Sequence, residues 1–241
     1  METAGYVGLS GQLALEQRLV SVANNVANAA TVGYKAEGVQ FEAYVSDVPR
    51  IPAAFAVAAG SHVLNTSGGL VKTDNPLDVA IQGESYLSVM TPAGPVYTRD
   101  GRMQILPSGD LASINGHPVL DAGGAPILVD PSAGPMQIGR DGMISQGGRQ
   151  IGAIGLFKVD LDRPYQRYEN SAFIPSVQPE PVVSFGEDGF IQGFVEQSNV
   201  NPILEMTNLI KVTRAFEALA TAMEQNDSLL RNANQALGGR S

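Results

Sequence analysis

Apolar residues recur at alternating steps of three and four at both ends of the chain, and the stretch between keeps another rhythm. From Leu209 through Val212, Phe216, Leu219, Met223, Asn226, Leu230 and Ala233 to Leu237 the alternation never slips, broken in polarity at Asn226 and thinned at Ala233. That is an amphipathic seam of the heptad kind. Leu15, Leu19, Val22 and Val26 repeat the spacing near the N-terminus, with Leu9, Leu13, Val20, Ala23 and Ala27 widening the stripe. The pattern predicts one helix from about Thr3 to Ala30, closed by Gly33, and a second from Pro202 to Leu237. The second has an N-cap in Asn201, a proline suited to the first helical position, Glu205 in its first turn and a stop at Gly238-Gly239. At about 1.5 Å per residue the two rods measure roughly 42 and 54 Å. Burying one large seam residue contributes about 1.5–3 kcal/mol, so an exposed seam is a strong drive to associate. The expected fold class is therefore α+β, with long N- and C-terminal helices pairing as a coiled coil and a central β-rich domain. Leu15, Leu19, Val22, Val26, Leu209, Val212, Phe216, Leu219, Met223 and Leu230 are the expected interface, within and between subunits. Asn226 is the register-setting polar residue.

Between the helices the period shortens to two. Leu77-Asp78-Val79-Ala80-Ile81, Tyr86-Leu87-Ser88-Val89-Met90 and Val96-Tyr97-Thr98-Arg99 alternate as strands do. Asp100-Gly101, Asn115-Gly116, Asp141-Gly142 and Asp188-Gly189 punctuate them, dipeptides that supply the positive φ of tight turns. Residues 36–76 carry no sustained period and are broken by Pro49, Pro52, Gly60, Gly68 and Gly69, so they are expected to be an extended connector. The expected organisation is a helix over 1–35, the connector over 36–76, a β domain over 77–197 and a helix over 198–241.

Composition supports a turn-rich β region, with 27 glycines and 15 prolines against only 16% charged residues. The formal net charge of −9 disfavours nucleic acid, which demands a basic patch. No cysteine is present, which removes disulfide scaffolds and thiol nucleophiles. Met1-Glu2-Thr3 opens with an acid where a signal peptide carries a base, and no apolar run is long enough to span a bilayer, so neither cleaved secretion nor membrane insertion is expected. Chemistry is scarce. His62 and His117 stand in Gly/Ser/Asn/Pro surroundings without a second ligand at metal spacing, and no phosphate-binding glycine loop or G-x-S-x-G elbow occurs. Asp100, Asp110, Asp141 and Asp188 are explained by turns. No catalytic residue, cofactor or metal is expected.

Asn24-Asn25-Val26-Ala27-Asn28-Ala29-Ala30-Thr31-Val32-Gly33-Tyr34-Lys35 resembles the N-terminal signature of bacterial flagellar rod and hook proteins. Ser198-Asn199-Val200-Asn201-Pro202, with Glu205-Met206 and Arg214-Ala215-Phe216-Glu217, resembles their closing motif. Leu77-Asp78-Val79-Ala80-Ile81, Tyr97-Thr98-Arg99-Asp100-Gly101 and Gly109-Asp110-Leu111 resemble their shared β segments. One departure is Gly83-Glu84-Ser85-Tyr86-Leu87, where relatives often carry a second glycine at the position of Ser85.

The resemblance, which reaches both ends and the middle, implies a structural subunit of the basal-body rod. It is most similar to a proximal-rod member, with a distal-rod or hook subunit as the alternative. It implies terminal helices lining an axial channel, with other rod proteins and copies of the same chain as partners in a tubular helical assembly. It also implies passage through the flagellar type III export apparatus without a cleaved signal, to a rod spanning the periplasm. Asn24, Asn25 and Asn28, short polar residues at the end of the first helix, are expected to cap or cross-link backbone at subunit contacts. Two other classes stand beside this one. A rod-associated peptidoglycan hydrolase would need a carboxylate pair in a cleft, and a secreted β-rich adhesin would need a signal peptide.

Overall fold

A computed structural model of the chain describes residues 2–45 and 54–238. The chain divides into two compact units. One comprises Met1–Ala27, Glu37–His62 and Asn201–Ser241, the other Asn28–Ala36 and Val63–Val200.

The first unit holds helix α1 (Glu2–Ala27), strands β1 (Glu37–Val45) and β2 (Ala54–Val63), which pair with each other, and helix α2 (Pro202–Gly238). The expected N-cap of α2 is real. Asn201 Oδ1 accepts hydrogen bonds from the backbone N–H groups of Ile203 and Leu204, both at 3.2 Å, and satisfies donors that the first helical turn leaves open. The α+β class stands, but the coiled coil does not. Only Val22 and Val212 of the expected seam are buried; Leu15, Leu19, Val26, Leu209, Phe216, Leu219 and Met223 keep part of their surface in water. At two points where α2 presses on it, α1 offers no knob at all. A methyl group on Gly8 would stand 3.0 Å from Met223 Sδ, and one on Gly11 would stand 3.1 Å from Leu219 Cδ2. Knobs-into-holes packing needs side chains at such positions. Moreover, α1 spends part of its buried face on β1, where Ser21 and Asn25 bond the Glu37 backbone. Leu9, Leu13 and Val20 do not widen the buried stripe either. At 100° per residue they fall on the opposite face and are exposed. The side chain of Leu230, and the connector's Pro49 and Pro52, lie outside the described residues.

The second unit is all β. Where the connector was expected, β2 ends and β3 (Leu70–Lys72) follows. Then come β4 (Val79–Gln82), β5 (Tyr86–Thr91), β6 (Gly94–Thr98), β7 (Met103–Ile105), β8 (Leu111–Ser113), β9 (Met136–Ile138), β10 (Met143–Gln146) and β11 (Arg149–Ala153). The series closes with β12 (Leu156–Lys158), β13 (Tyr165–Tyr168), β14 (Ala172–Pro175), β15 (Glu180–Pro181), β16 (Gly189–Gln192) and β17 (Phe194–Glu196). Six strands form one sheet in the order β13-β14-β6-β5-β12-β15, and smaller sheets pair β16 with β4, β17 with β3, β7 with β8, and β9 with β10 and β11. Val79, Ile81, Leu87, Val96, Leu111, Ile144, Leu156 and Phe190 converge in a core that is almost wholly dry. A second cluster, of Tyr86, Tyr97, Phe157, Leu161 and Phe173, packs its rings edge to face. The turn glycines divide by role. Gly116 and Gly142 do adopt positive φ, at 85° and 78°. Gly101 and Gly189 are instead required by close approach, to the Val79 carbonyl and to Arg140.

Candidate assembly site

The two ends of the second unit's chain enter and leave side by side. The Tyr34 carbonyl accepts from Asn199 N–H at 3.4 Å, and the Asn199 side chain accepts from Ala36 N–H at 2.7 Å while donating to the Leu64 and Thr66 carbonyls. Tyr34, Ala36 and Val200 close over this junction as a small apolar cluster. Thus the residues that follow α1 and those that precede α2 are stitched together by one asparagine. Gly33 is held there in two ways. Its φ is +70°, and a Cβ would overlap the Asp100 backbone, so only glycine fits without strain.

Beneath the junction lies a buried ionic cluster that none of the expected site residues includes. Glu196, with no exposed surface, accepts from Lys35 Nζ at 2.8 Å and from Gly68 N–H at 2.9 Å on one oxygen, and from Arg99 Nε at 2.6 Å on the other. Lys35 Nζ also donates to the Thr66 carbonyl at 2.8 Å. Arg99 Nη1 and Nη2 donate to the Ser85 and Ile81 carbonyls, at 2.7 and 2.8 Å, and its guanidinium lies 5.6 Å from the centre of the Tyr86 ring. Two cations therefore share one anion out of water. Burial, reinforced by the neighbouring Arg99 charge, holds the Lys35 ammonium below its ordinary range, and the Glu196 bond offsets part of that. Burial also pushes the Tyr86 hydroxyl well above its ordinary value. Arg167 completes the shell, stacked between Tyr34 at 4.9 Å and Phe173 at 5.1 Å and donating to the Lys35 carbonyl at 2.8 Å. The departure at Ser85 leaves the turn intact. Gly83 keeps a φ of +87°, and Glu84 N–H donates to Asp188 Oδ1 at 3.1 Å.

The expected interface residues are distributed unevenly. Val22 and Val212 are buried within the first unit, and Leu15, Leu19, Val26, Leu209, Phe216, Leu219 and Met223 are half-buried. Of the asparagines, Asn25 is internal: its Nδ2 donates to the Glu37 carbonyl and its Oδ1 accepts from Glu37 N–H, both at 2.9 Å. Asn24 is exposed along α1, and Asn28 Oδ1 accepts from the Thr31 hydroxyl at 3.1 Å. Among the described residues no group of three or more His, Cys, Asp or Glu side chains is placed to hold a metal ion. No described helix is long and apolar enough to cross a membrane.

Three family models match. The flagella basal body rod protein model covers residues 6–35, the flagellar hook protein FlgE/F/G D1 domain covers 80–146, and the flagellar basal body rod FlgEFG protein C-terminal covers 191–236. The flagellar basal-body rod protein FlgF of Mesorhizobium japonicum is 48% identical over 241 residues, the full length of both chains. The chain belongs to the FlgF-like flagellar basal-body rod proteins. A FlgF of Rhizobium meliloti is 45% identical over 99% of both chains, whereas a FlgG of Bacillus subtilis is 29% identical over 93% of this chain and 95% of its own. The ionic cluster takes one member from each family segment. Lys35 closes the first, Arg99 lies in the second and Glu196 in the third. The sequence signal for it was a lone acid in the apolar run Phe194-Val195-Glu196, which pattern alone assigns to a strand face.

Proposed function

We propose that this chain is a subunit of the proximal part of the basal-body rod, assembling through its terminal helices into a tubular shaft that transmits motor torque and surrounds the export channel. That it is a structural rod protein of the flagellar basal body, in contact with other rod components, follows from its family. The proximal position rests on the higher identity to FlgF than to FlgG relatives over nearly the same length. Export through the flagellar apparatus, contact with copies of itself and the absence of enzymatic work belong to the same reading.

One observation supports the mechanical role most directly. Within the β unit, the residues that follow α1 and those that precede α2 are fixed to each other by the Lys35–Glu196–Arg99 cluster and by Asn199. Load that reaches these residues meets a rigid, buried anchor and not a loose loop. The test is composition: intact hook–basal bodies are purified and this chain is counted per particle by quantitative mass spectrometry. A handful of copies fits a short proximal segment, several helical turns' worth fits a distal rod or hook, and absence overturns the structural role.

A further inference from the structure

Two kinds of cohesion hold the β unit, and they come from different stretches of chain. The main apolar core is drawn from residues 79–182, and among the described residues Phe190 alone joins it from the stretch 189–200. That stretch, β16 and β17 with the link to α2, is tied down chiefly by polar groups. Gly193 N–H donates to the Asp78 carbonyl at 2.8 Å, and Phe190 and Gln197 N–H donate to the Arg140 and Gly69 carbonyls, both at 2.9 Å. Thr73 N–H and Gly33 N–H donate in turn to the Gly193 and Glu196 carbonyls, both at 2.8 Å. The stretch also supplies the strand partners of β3 and β4, each of which pairs with it in a two-stranded sheet. A two-stranded ribbon is marginal by itself, and β3 is exposed along its whole length. What locks the stretch in place is Glu196, the anion that Lys35 and Arg99 share. Such a lock is all or none, because a partly closed cluster leaves a buried charge uncompensated.

We infer that residues 189–200 are a strap that opens and closes as one piece over a core that folds without it. The ionic cluster is the catch that keeps it shut. Proteins open in contiguous cooperative pieces of this kind at a lower free energy than global unfolding. Asn201, the cap of α2, follows the strap directly in sequence. Closing the strap therefore fixes the chain that leads into α2, and opening it frees that chain while the body stays folded. The device belongs to the β unit and is independent of the rod reading.

Native-state amide exchange of the full-length chain is the test. The amides of Gly33, Thr73, Gly193 and Gln197 report on the strap, and those of Leu111 and Val119, bonded to the Ile127 and Leu111 carbonyls, report on the core. The strap group is expected to exchange at least about tenfold faster than the core group. Glu196→Gln should speed the strap group about tenfold more and leave the core group unchanged. A staple supplies the converse. Lys72 and Phe194 stand directly opposite in the register and the chain has no cysteine of its own, so Lys72→Cys with Phe194→Cys ties the strap shut on oxidation. In the oxidised chain the strap group should slow to the core rate, and reduction should restore the difference. Equal exchange of the two groups in the wild-type chain overturns the inference. So does a Glu196→Gln chain whose core unfolds or whose two groups accelerate together, and so does an oxidised staple that leaves the strap group fast.

Discussion

The β unit and the helical unit of this chain solve opposite problems. The β unit has an enclosed core, and the helical unit has little of one: Ile81, Leu87, Leu111, Ile144, Leu156 and Phe173 are all but inaccessible although Leu128 and Val183 face water, and even a lysine, an arginine and a glutamate are buried with their partners supplied. In the helical unit Val22 and Val212 are among the few large apolar residues so enclosed, while Tyr6, Leu9, Leu13, Val20, Ile203, Leu204, Met206, Ile210 and Leu229 face water. A domain that spends its apolar surface internally is stable alone. One that leaves it outside has its stability completed by neighbours. The difference separates a body that must persist through assembly from arms that are finished by it.

The most severe break of this comparison is Phe216→Asp. A charge on the half-buried inner face of α2 is expected to abolish incorporation into the rod while the β unit keeps its native fold. Immunoblots of purified hook–basal bodies and the near-ultraviolet circular dichroism of the free chain read the two halves of that statement. Normal incorporation would show that the inner face of α2 is not needed for assembly. Glu196→Ala has the reverse signature. It leaves Lys35 and Arg99 buried without their shared anion, and removing one partner of a buried pair costs about 3–5 kcal/mol. The urea midpoint of the β unit should fall accordingly. A midpoint within experimental error of wild type would mean that water or another anion compensates.

How far each unit could be read from sequence follows from the same contrast. The start of α2 was legible because capping is local: Asn201 and Pro202 act on the residues beside them. The β class was legible because its turns announce themselves in dipeptides. The coiled coil was misread because a tally of apolar residues does not say which way they face. Leu9, Leu13 and Val20 lengthen a stripe on paper and stand on the outer side in the structure. Glycines at positions 8 and 11 were visible, but their spacing does not name the side chains, Met223 and Leu219, that press on them. The ionic cluster was out of reach for another reason. Its members are separated by 161 residues in one pair and 97 in the other, and charge type alone does not forecast which strands topology will bring together.

Gly33→Ala tests the junction more gently. The substitution imposes a Cβ at φ +70° against the Asp100 backbone, and strain of this kind costs about 1–3 kcal/mol. The loss should appear in the denaturation midpoint of the β unit and leave α2 helicity untouched. A neutral result would mean that the chain after α1 shifts without penalty. Lys35 adds a dependence on pH whose sign is fixed. Its folded-state pKa is lowered, chiefly by burial and then by Arg99, so between that value and the ordinary 10.5 the unfolded chain holds more protons. The Lys35 contribution to stability therefore rises with pH across that window and is flat below it. Comparing wild type with Lys35→Met by urea titration at a series of pH values isolates the slope. A wild-type slope no steeper than that of the variant would place the ammonium in an environment no different from water.

The smallest effect separates the two units most finely. Asn201 is the last residue before α2, and its side chain satisfies two N–H groups of the first turn. Replacing it by alanine should cost about 1 kcal/mol of helix stability. Within the β unit that loss should be invisible, because the nearest fixed point, Asn199, keeps its bonds to Ala36, Leu64 and Thr66. In the free chain the arm should fray, read as faster amide exchange over the first turns of α2. In the assembled rod the same amides should be protected as in wild type, since a helix covered by neighbours draws its stability from packing more than from its cap. Equal fraying in both states would mean that α2 gains nothing from its neighbours, and the contrast between a finished body and unfinished arms would fail at the arm where it is drawn.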